Sequence, residues 1–268
     1  MNSLFDNDLN LELKKIKKQI SDIQNLSQNK LCIYTCLIGD FDKFNDVENT
    51  LKGFDSFLIT DNKKIHNRYS KTIIINSVYR SPRRTNRIFK ILPHLFFSSY
   101  NTSVYYDCNL IYKVNPIKIL NLLKSKYDFA IFNHAKRNCL FDEIEECIFW
   151  NKDSKTILNT QKKNYNLVPK QNSLYLGSVL IRNHNKLKVF SEFWWLQYDK
   201  FSARDQISLA FTFFKIKINF DVLNILDFHL FFKKVNHIKK NVNESKLNFI
   251  QSLKFKILIF MVEIKNKF

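Results

Sequence analysis

The sequence predicts an α/β fold: a mixed central sheet flanked by helices, with an N-terminal helix and a basic helical C-terminal tail. Three observations carry that expectation. Short apolar runs of strand length alternate with helical patterns along residues 31–215. The run at 31–38 is almost continuously apolar, as a central strand covered on both faces must be. A mid-chain run, Val104, Tyr105 and Tyr106, ends in Asp107, which sets a carboxylate at the carboxyl end of a strand, where open α/β sheets bind ligands.

The N-terminal helix is read from Leu9, Leu13, Ile16, Ile20 and Ile23, which alternate spacings of four and three over residues 1–28. Two heptads make a short seam, open to docking on the body or to homodimerisation, with docking favoured. Residues 54–60 and 72–76 are the second and third strands, the second ending at Asp61. A basic helical segment follows, with Arg83, Arg84, Arg87 and Lys90 beside an apolar face of Ile88, Leu92 and Leu95. Arg87 and Lys90 are three apart and share a face, which suits phosphate clamping as well as a plain solvated surface. After the Asp107 strand come a helix at 116–124 and a strand at 128–133. That strand delivers His134, Arg137 and Cys139 into a loop, and Asp142, Glu143, Glu145 and Glu146 open a helix whose dipole they suit. Residues 174–182 form a strand with Gly177 near its middle, where a ligand or a second backbone can come close. The helix at 189–198 carries Trp194 and Trp195, read as core or as a stacking face for a sugar ring. Ser202 and Asp205 then have the spacing of a capping box, and Asp205 with Gln206 equally suits a helix N-terminus facing a substrate.

At 268 residues the chain makes one large domain with appendages: the helix at 1–28, a body at 29–225 and an extension at 226–268. In the extension, Leu247, Ile250, Leu253, Ile257, Leu258, Met261 and Ile264 recur at helical spacing among lysines, the pattern of a helix on a membrane surface or of one packed on the body. The net charge of +19, from 43 Lys and Arg against 24 Asp and Glu, attracts anionic partners or reflects a Lys-rich surface. Nucleic acid is not the expected partner, since no aromatic interleaving, helix-turn-helix or zinc-finger spacing accompanies the charge. The five cysteines match no metal spacing and fit a reducing cytoplasm, and no apolar run approaches the roughly 20 residues of a membrane span. The expected location is cytoplasmic, with the tail offering a peripheral seat on the inner membrane face.

The order of the motifs is more specific than any one of them. Tyr34 and Thr35 lead to Gly39, Asp40 and Asp42; then come Thr60 with Asp61, the Arg-rich segment through Lys90 and His94, and Asp107. His134 to Arg137 with Asp142 and Glu143 follow, then Arg182 with His184, then Arg204, Asp205 and Gln206. This order, over roughly residues 31–215, resembles the glycosyltransferase-like domain shared by plant turgor-regulation and mucilage-related proteins and bacterial polysaccharide-cluster proteins. The resemblance implies a GT-A-like, Rossmann-like fold. It implies a transferase that moves a sugar from a nucleotide-sugar donor to a glycan or glycolipid acceptor in surface polysaccharide synthesis. It also implies a divalent metal, Mn²⁺ or Mg²⁺, held by Asp107 and Asn109, although a second Asp is replaced by the neutral Asn109. On the same basis Thr35, Asp61, Arg84, Arg87, Lys90, Asp107 and Asn109 are donor-binding, His134, Arg137 and Gln206 acceptor-binding, and Asp205 and Glu143 catalytic. The alternative from a different class is a non-catalytic basic module for anionic polymer or a membrane surface, which the charge alone would serve.

Overall fold

In a computed structural model of the protein, residues 5, 7–39, 42, 55–65, 71–114, 118–119, 121–124, 126–171 and 174–235 are described. Four strands come from the first half of the chain: β1 (Leu31–Leu37), β2 (Asp55–Thr60), β3 (Lys71–Ile74) and β4 (Thr102–Tyr106). The rest are β5 (Leu110–Tyr112), β6 (Phe129–Asn133), β7 (Tyr175–Arg182), β8 (Phe220–Leu223) and β9 (Phe232–Lys234). Seven of them form one sheet in the order β3-β2-β1-β4-β7-β6-β8, and β5 pairs with β9 in a separate two-stranded ribbon. Neighbours run parallel except β7, which is antiparallel to both β4 and β6. The mixed α/β class expected from the sequence is therefore the observed one.

β1 is central and buried from Cys32 to Leu37, which is why its sequence is apolar on both faces. Its alternating side chains feed different cores. Cys32, Tyr34 and Cys36 join the larger cluster, while Ile33 joins Val104, Ala130 and Ile181 on the other face. The larger cluster is closed by α1 (Asn7–Ser27), whose Leu9, Leu13, Ile16 and Ile20 are buried against Phe57 and Ile73. Glu12 of α1 accepts from the Asn76 and Ser77 amides at 2.6 and 2.8 Å, fixing the helix beside the end of β3. Docking is thus the use of the seam, and its burial leaves no open stripe there for the homodimer alternative.

The helix α2 (Pro82–Ile91) starts where Ser81 accepts from the Arg84 amide at 3.2 Å and Pro82 occupies the first turn. It stops before Pro93, so Leu92 and Leu95 lie past its end rather than on its face. Buried Arg182 of β7 donates to the Tyr34 hydroxyl at 2.7 Å, and that hydroxyl donates to the Phe89 carbonyl at 3.1 Å, binding α2 to the middle of the sheet.

Among the described residues, the helices beyond residue 139 are α3 (Leu140–Phe149), α4 (Lys155–Asn164), α5 (Lys188–Lys200), α6 (Asp205–Lys215) and α7 (Ile225–Phe231). α4 has only Leu158 and Gln161 buried and no apolar stripe, so periodicity does not reveal it. Trp194 and Trp195 are both core residues, and neither presents a ring to a sugar. Ser202 does not cap α6; its hydroxyl bonds to Gln161 Oε1 at 2.6 Å, Arg204 takes the cap position, and Asp205 is the first helical residue. The body also runs past residue 225, because α7 packs on β6 and β9 pairs with β5. Of the helix expected at 116–124, Lys118 and Ile119 are helical while 121–124 form a turn, so it is shorter than expected; the tail at 236–268 lies outside the described residues. Among the described residues no helix is long and apolar enough to cross a membrane.

Removing the centre of the seam tests the docking of α1. Leu13→Ala should destabilise the protein by about 2–5 kcal/mol, the range for a buried Leu truncation, with unchanged mass by light scattering. A urea midpoint equal to wild type would show that α1 is not part of the cooperative unit.

Candidate functional site

β1, β2 and β4 run in parallel, so Gly39, Asp61 and Asp107 follow their carboxyl ends at one edge of the sheet. Gly39 has φ of 74°, a left-handed conformation that favours glycine, and its amide donates to both Asp61 oxygens at 3.1 and 3.0 Å. β7 begins at the same edge because it runs the other way, and the Ser178 carbonyl accepts from the Asp107 amide at 2.8 Å.

Two elements close on that edge and bring their charges with them. α2 contributes Arg87 and Lys90, and the first turn of α6 contributes Asp205. Lys90 Nζ lies 2.6 Å from Asp205 Oδ2 and 3.4 Å from Asp107 Oδ1. Arg87 Nε lies 3.2 Å from the other Asp205 oxygen. Lys90 is 2% exposed and rests 5.0 Å over the Tyr105 ring, whose hydroxyl donates to Asp107 Oδ1 at 2.8 Å. Burial on its own would raise the Asp205 pKa; Arg87 and Lys90 overcome it and hold the carboxyl well below the usual range. Burial likewise opposes the charge on Arg87, and the Asp205 carboxylate overcomes it, pushing the guanidinium pKa up. A methyl group at Gly177 would sit 3.7 Å from Asp205 Oδ2 and 3.8 Å from Lys90 Nζ, so this strand passes directly over the charged cluster.

The structure sorts the other residues singled out in the sequence. Arg84 points away from the cluster. It donates to the carbonyls of Tyr198, Asp199 and Phe201 at 3.1, 3.3 and 2.9 Å, which satisfies the end of α5. Asn109 is buried, and its amide donates to the Val235 carbonyl at 3.3 Å beside β9. Thr35 is buried within β1. Glu143 is 1% exposed, held by Arg137 at 2.6 Å and approached by Arg204 at 3.8 Å. His134 Nδ1 accepts from the Arg137 amide at 3.0 Å; burial, then Arg137, lowers its pKa, so the neutral ring carries its proton on Nε2. Gln206 donates to the Tyr175 carbonyl at 2.8 Å and ties the start of α6 to β7.

Arg83 and Arg204, not among the site residues read from the sequence, lie near Arg87 and Asp205 in the structure. A signal for Arg83 was present: Arg83, Arg87 and Lys90 are spaced four and three apart, the repeat of one helical face. Arg204 carried no local signal.

The residues do not make the expected metal pair. A hard divalent ion needs several oxygen ligands. Asp107 Oδ1 is already bound by the Tyr105 hydroxyl and faced by the Lys90 ammonium, while the Asn109 amide is turned to Val235. Among the described residues no group of three His, Cys, Asp or Glu side chains could hold such an ion.

A mixed sheet with one reversed strand, and buried cations meeting carboxylates at its carboxyl edge, define an α/β domain with a charged site at its strand ends. The chain belongs to the TOD1/MUCI70 glycosyltransferase-like domain family, whose sequence model matches residues 13–240. The probable hexosyltransferase MUCI70 of Arabidopsis thaliana is 27% identical over 225 residues, 78% of this chain and 37% of that protein, so the chain spans little more than a third of this relative. Among solved structures, the apo form of the bifunctional glycosyltransferase WbbM aligns with a TM-score of 0.48 and 8% identity, over 73% of this chain and 39% of that one. Apo mouse xyloside xylosyltransferase 1 aligns with a TM-score of 0.44 and 11% identity, over 72% of this chain and 84% of that one.

One substitution separates a structural cation from the site cations. Arg84→Ala should cost about 1.5–3 kcal/mol, the scale of hydrogen bonds from a charged group, and leave nucleotide affinity unchanged. Loss of nucleotide affinity in that variant would return Arg84 to the site.

Asp205 should also mark the acid limb of stability. Its folded pKa is depressed, so its contribution is complete above the unfolded value of about 3.9 and is lost as pH falls below it. Asp205→Asn should therefore be less stable than wild type at neutral pH, and the difference should shrink as pH falls below about 4. Urea midpoints measured at several pH values check this; a gap that stays constant on acidification would contradict it.

Proposed function

We propose that this chain transfers a hexosyl or related sugar from a nucleotide-sugar donor to a glycan or lipid-linked acceptor, in surface polysaccharide synthesis and in the cytoplasm. The observation that carries the reading is the Lys90 ammonium shared between Asp107 and Asp205 at the carboxyl edge of the sheet. A surface that merely gathers anionic polymer needs exposed charge, not a 2% exposed lysine fixed between two carboxylates. Family membership and the order of motifs support the same reading. The five buried free thiols support a reducing compartment.

The chemistry follows from what each group can do. Sugar transfer forms a bond from an acceptor oxygen to the anomeric carbon and breaks the bond to the diphosphate, whose departing oxygens take up negative charge and can receive the acceptor's proton. Arg87 and Lys90 are cations already held in place, so little reorganisation accompanies that charge. Asp205 holds them there. Its depressed pKa makes it a weak proton acceptor at neutral pH, so its work is to position the cations and bind sugar hydroxyls rather than to act as general base. Glu143 is likewise occupied by Arg137 and fixes the loop that carries His134. His134, half-buried with its proton on Nε2, is placed to donate to an acceptor oxygen. Gln206 and Gly177 shape the wall between β7 and α6.

A panel of sugar nucleotides incubated with the full chain, with and without oligosaccharide acceptors, tests the proposal by release of free nucleotide. One donor class should be turned over, and Asp107→Ala should slow it by about a hundredfold or more, the range for electrostatic groups. Turnover of none, together with salt-sensitive binding to anionic polysaccharide, would replace the transferase with the basic binding module.

A further inference from the structure

The α2 face that carries Lys90 continues outward. Arg83, Arg87 and Lys90 recur at spacings of four and three, so their side chains leave one face of the helix. Burial falls along that stripe. Lys90 is 2% exposed, the Arg87 side chain 19%, and Arg83 is half-buried nearer the rim. Near Arg83, Arg204 caps α6 directly before Asp205, and its guanidinium lies 3.8 Å from a Glu143 carboxylate that Arg137 already holds at 2.6 Å. Arg204 Nε is buried without a hydrogen-bond partner among the described residues. Burial, then the nearby Arg204 and Arg87 guanidinium groups, lower the Arg83 pKa, while Tyr198 and Asp153 raise it, so three guanidinium groups lie close together at this end of α2.

We propose that Arg83, Arg87 and Arg204, backed by the buried Lys90 ammonium, bind the diphosphate of a nucleotide donor without a divalent metal. The inference rests on the transferase reading above and adds two residues and a mode of charge neutralisation to it. Guanidinium forks match phosphate oxygens in pairs; Arg83 and Arg204 can supply such forks, while Arg87, held by Asp205 at Nε and by Asn86 Oδ1 at 2.7 Å through Nη1, offers its Nη2. Lys90 stays with its carboxylates and supplies the fixed positive field behind the forks. The same arrangement accounts for the neutral Asn109: with the positive charge built into α2 and α6, the second carboxylate of a metal site has no task.

Calorimetric titration of the full chain with UDP, GDP, CDP and ADP, in EDTA and then in Mn²⁺, tests this. At least one diphosphate should bind in EDTA within about threefold of its affinity in Mn²⁺, a difference well under 1 kcal/mol. Arg83→Gln and Arg204→Gln should each weaken it by about tenfold or more. Lys155→Gln, an exposed α4 charge, should leave it unchanged. Should a Gln variant fail to fold by circular dichroism, Arg83→Lys and Arg204→Lys decide; each keeps the charge but loses the fork and should weaken binding by about threefold or more. Binding that appears only with Mn²⁺ would overturn the metal-free site and leave the transferase reading standing. Binding in EDTA that survives the Arg83 and Arg204 substitutions would overturn the cluster. If no diphosphate binds in either condition, the transferase reading itself fails, and the inference with it.

Discussion

The Asp205 carboxylate, gripped by Arg87 on one oxygen and Lys90 on the other, is the contact on which the cleft depends. It joins α2 to the first turn of α6, two elements that the chain separates by more than a hundred residues. Around it the surroundings are built to hold charge away from water. Tyr105 lies under Lys90, Trp194 donates to the Asp205 carbonyl at 3.1 Å, and Gly177 lets β7 pass within contact distance. Removing one partner from such a cluster leaves an uncompensated buried charge, typically at a cost of about 3–5 kcal/mol. Stability and charge placement are therefore the same property at this point in the molecule.

The sheet decides where that contact can form. Parallel β1, β2 and β4 send their following loops to one edge, and the reversed β7 brings its start, rather than its end, to the same place. Arg182 then reaches from the other end of β7 into the core and fixes α2 through Tyr34. α1 covers β2 and β3 on the same face as α2, within the larger cluster, and keeps that face dry. Each of these parts sets the position of the next, so the charges meet without any one loop having to find them.

What could be read from the sequence was whatever is local. The apolar run of β1, the Asp107 strand end and the α1 seam all show in short windows, and all stand in the structure. Errors came where a local pattern competed with a distant partner. Ser202 and Asp205 have cap spacing, yet Ser202 bonds Gln161 and Asp205 bonds α2. Asn109 has ligand spacing from Asp107, yet its amide serves Val235, far along the chain. Arg84 shares the basic run with Arg83, but one residue is a rotation of about 100° on a helix and sends it to α5 instead of the cleft. α4 was invisible because its face is polar and its packing slight.

The bond from Asn109 to Val235 has a mechanical meaning. β9 is the last described strand before the chain continues to its final residues, and its pairing with β5 begins at Leu110, three positions beyond Asp107. Both the side chain and the backbone carbonyl of Asn109 grip Val235, the latter at 2.8 Å from its amide. The two bonds fix the end of the β5–β9 ribbon to the turn that follows Asp107, so the same few residues set the place of both Val235 and the Asp107 carboxylate.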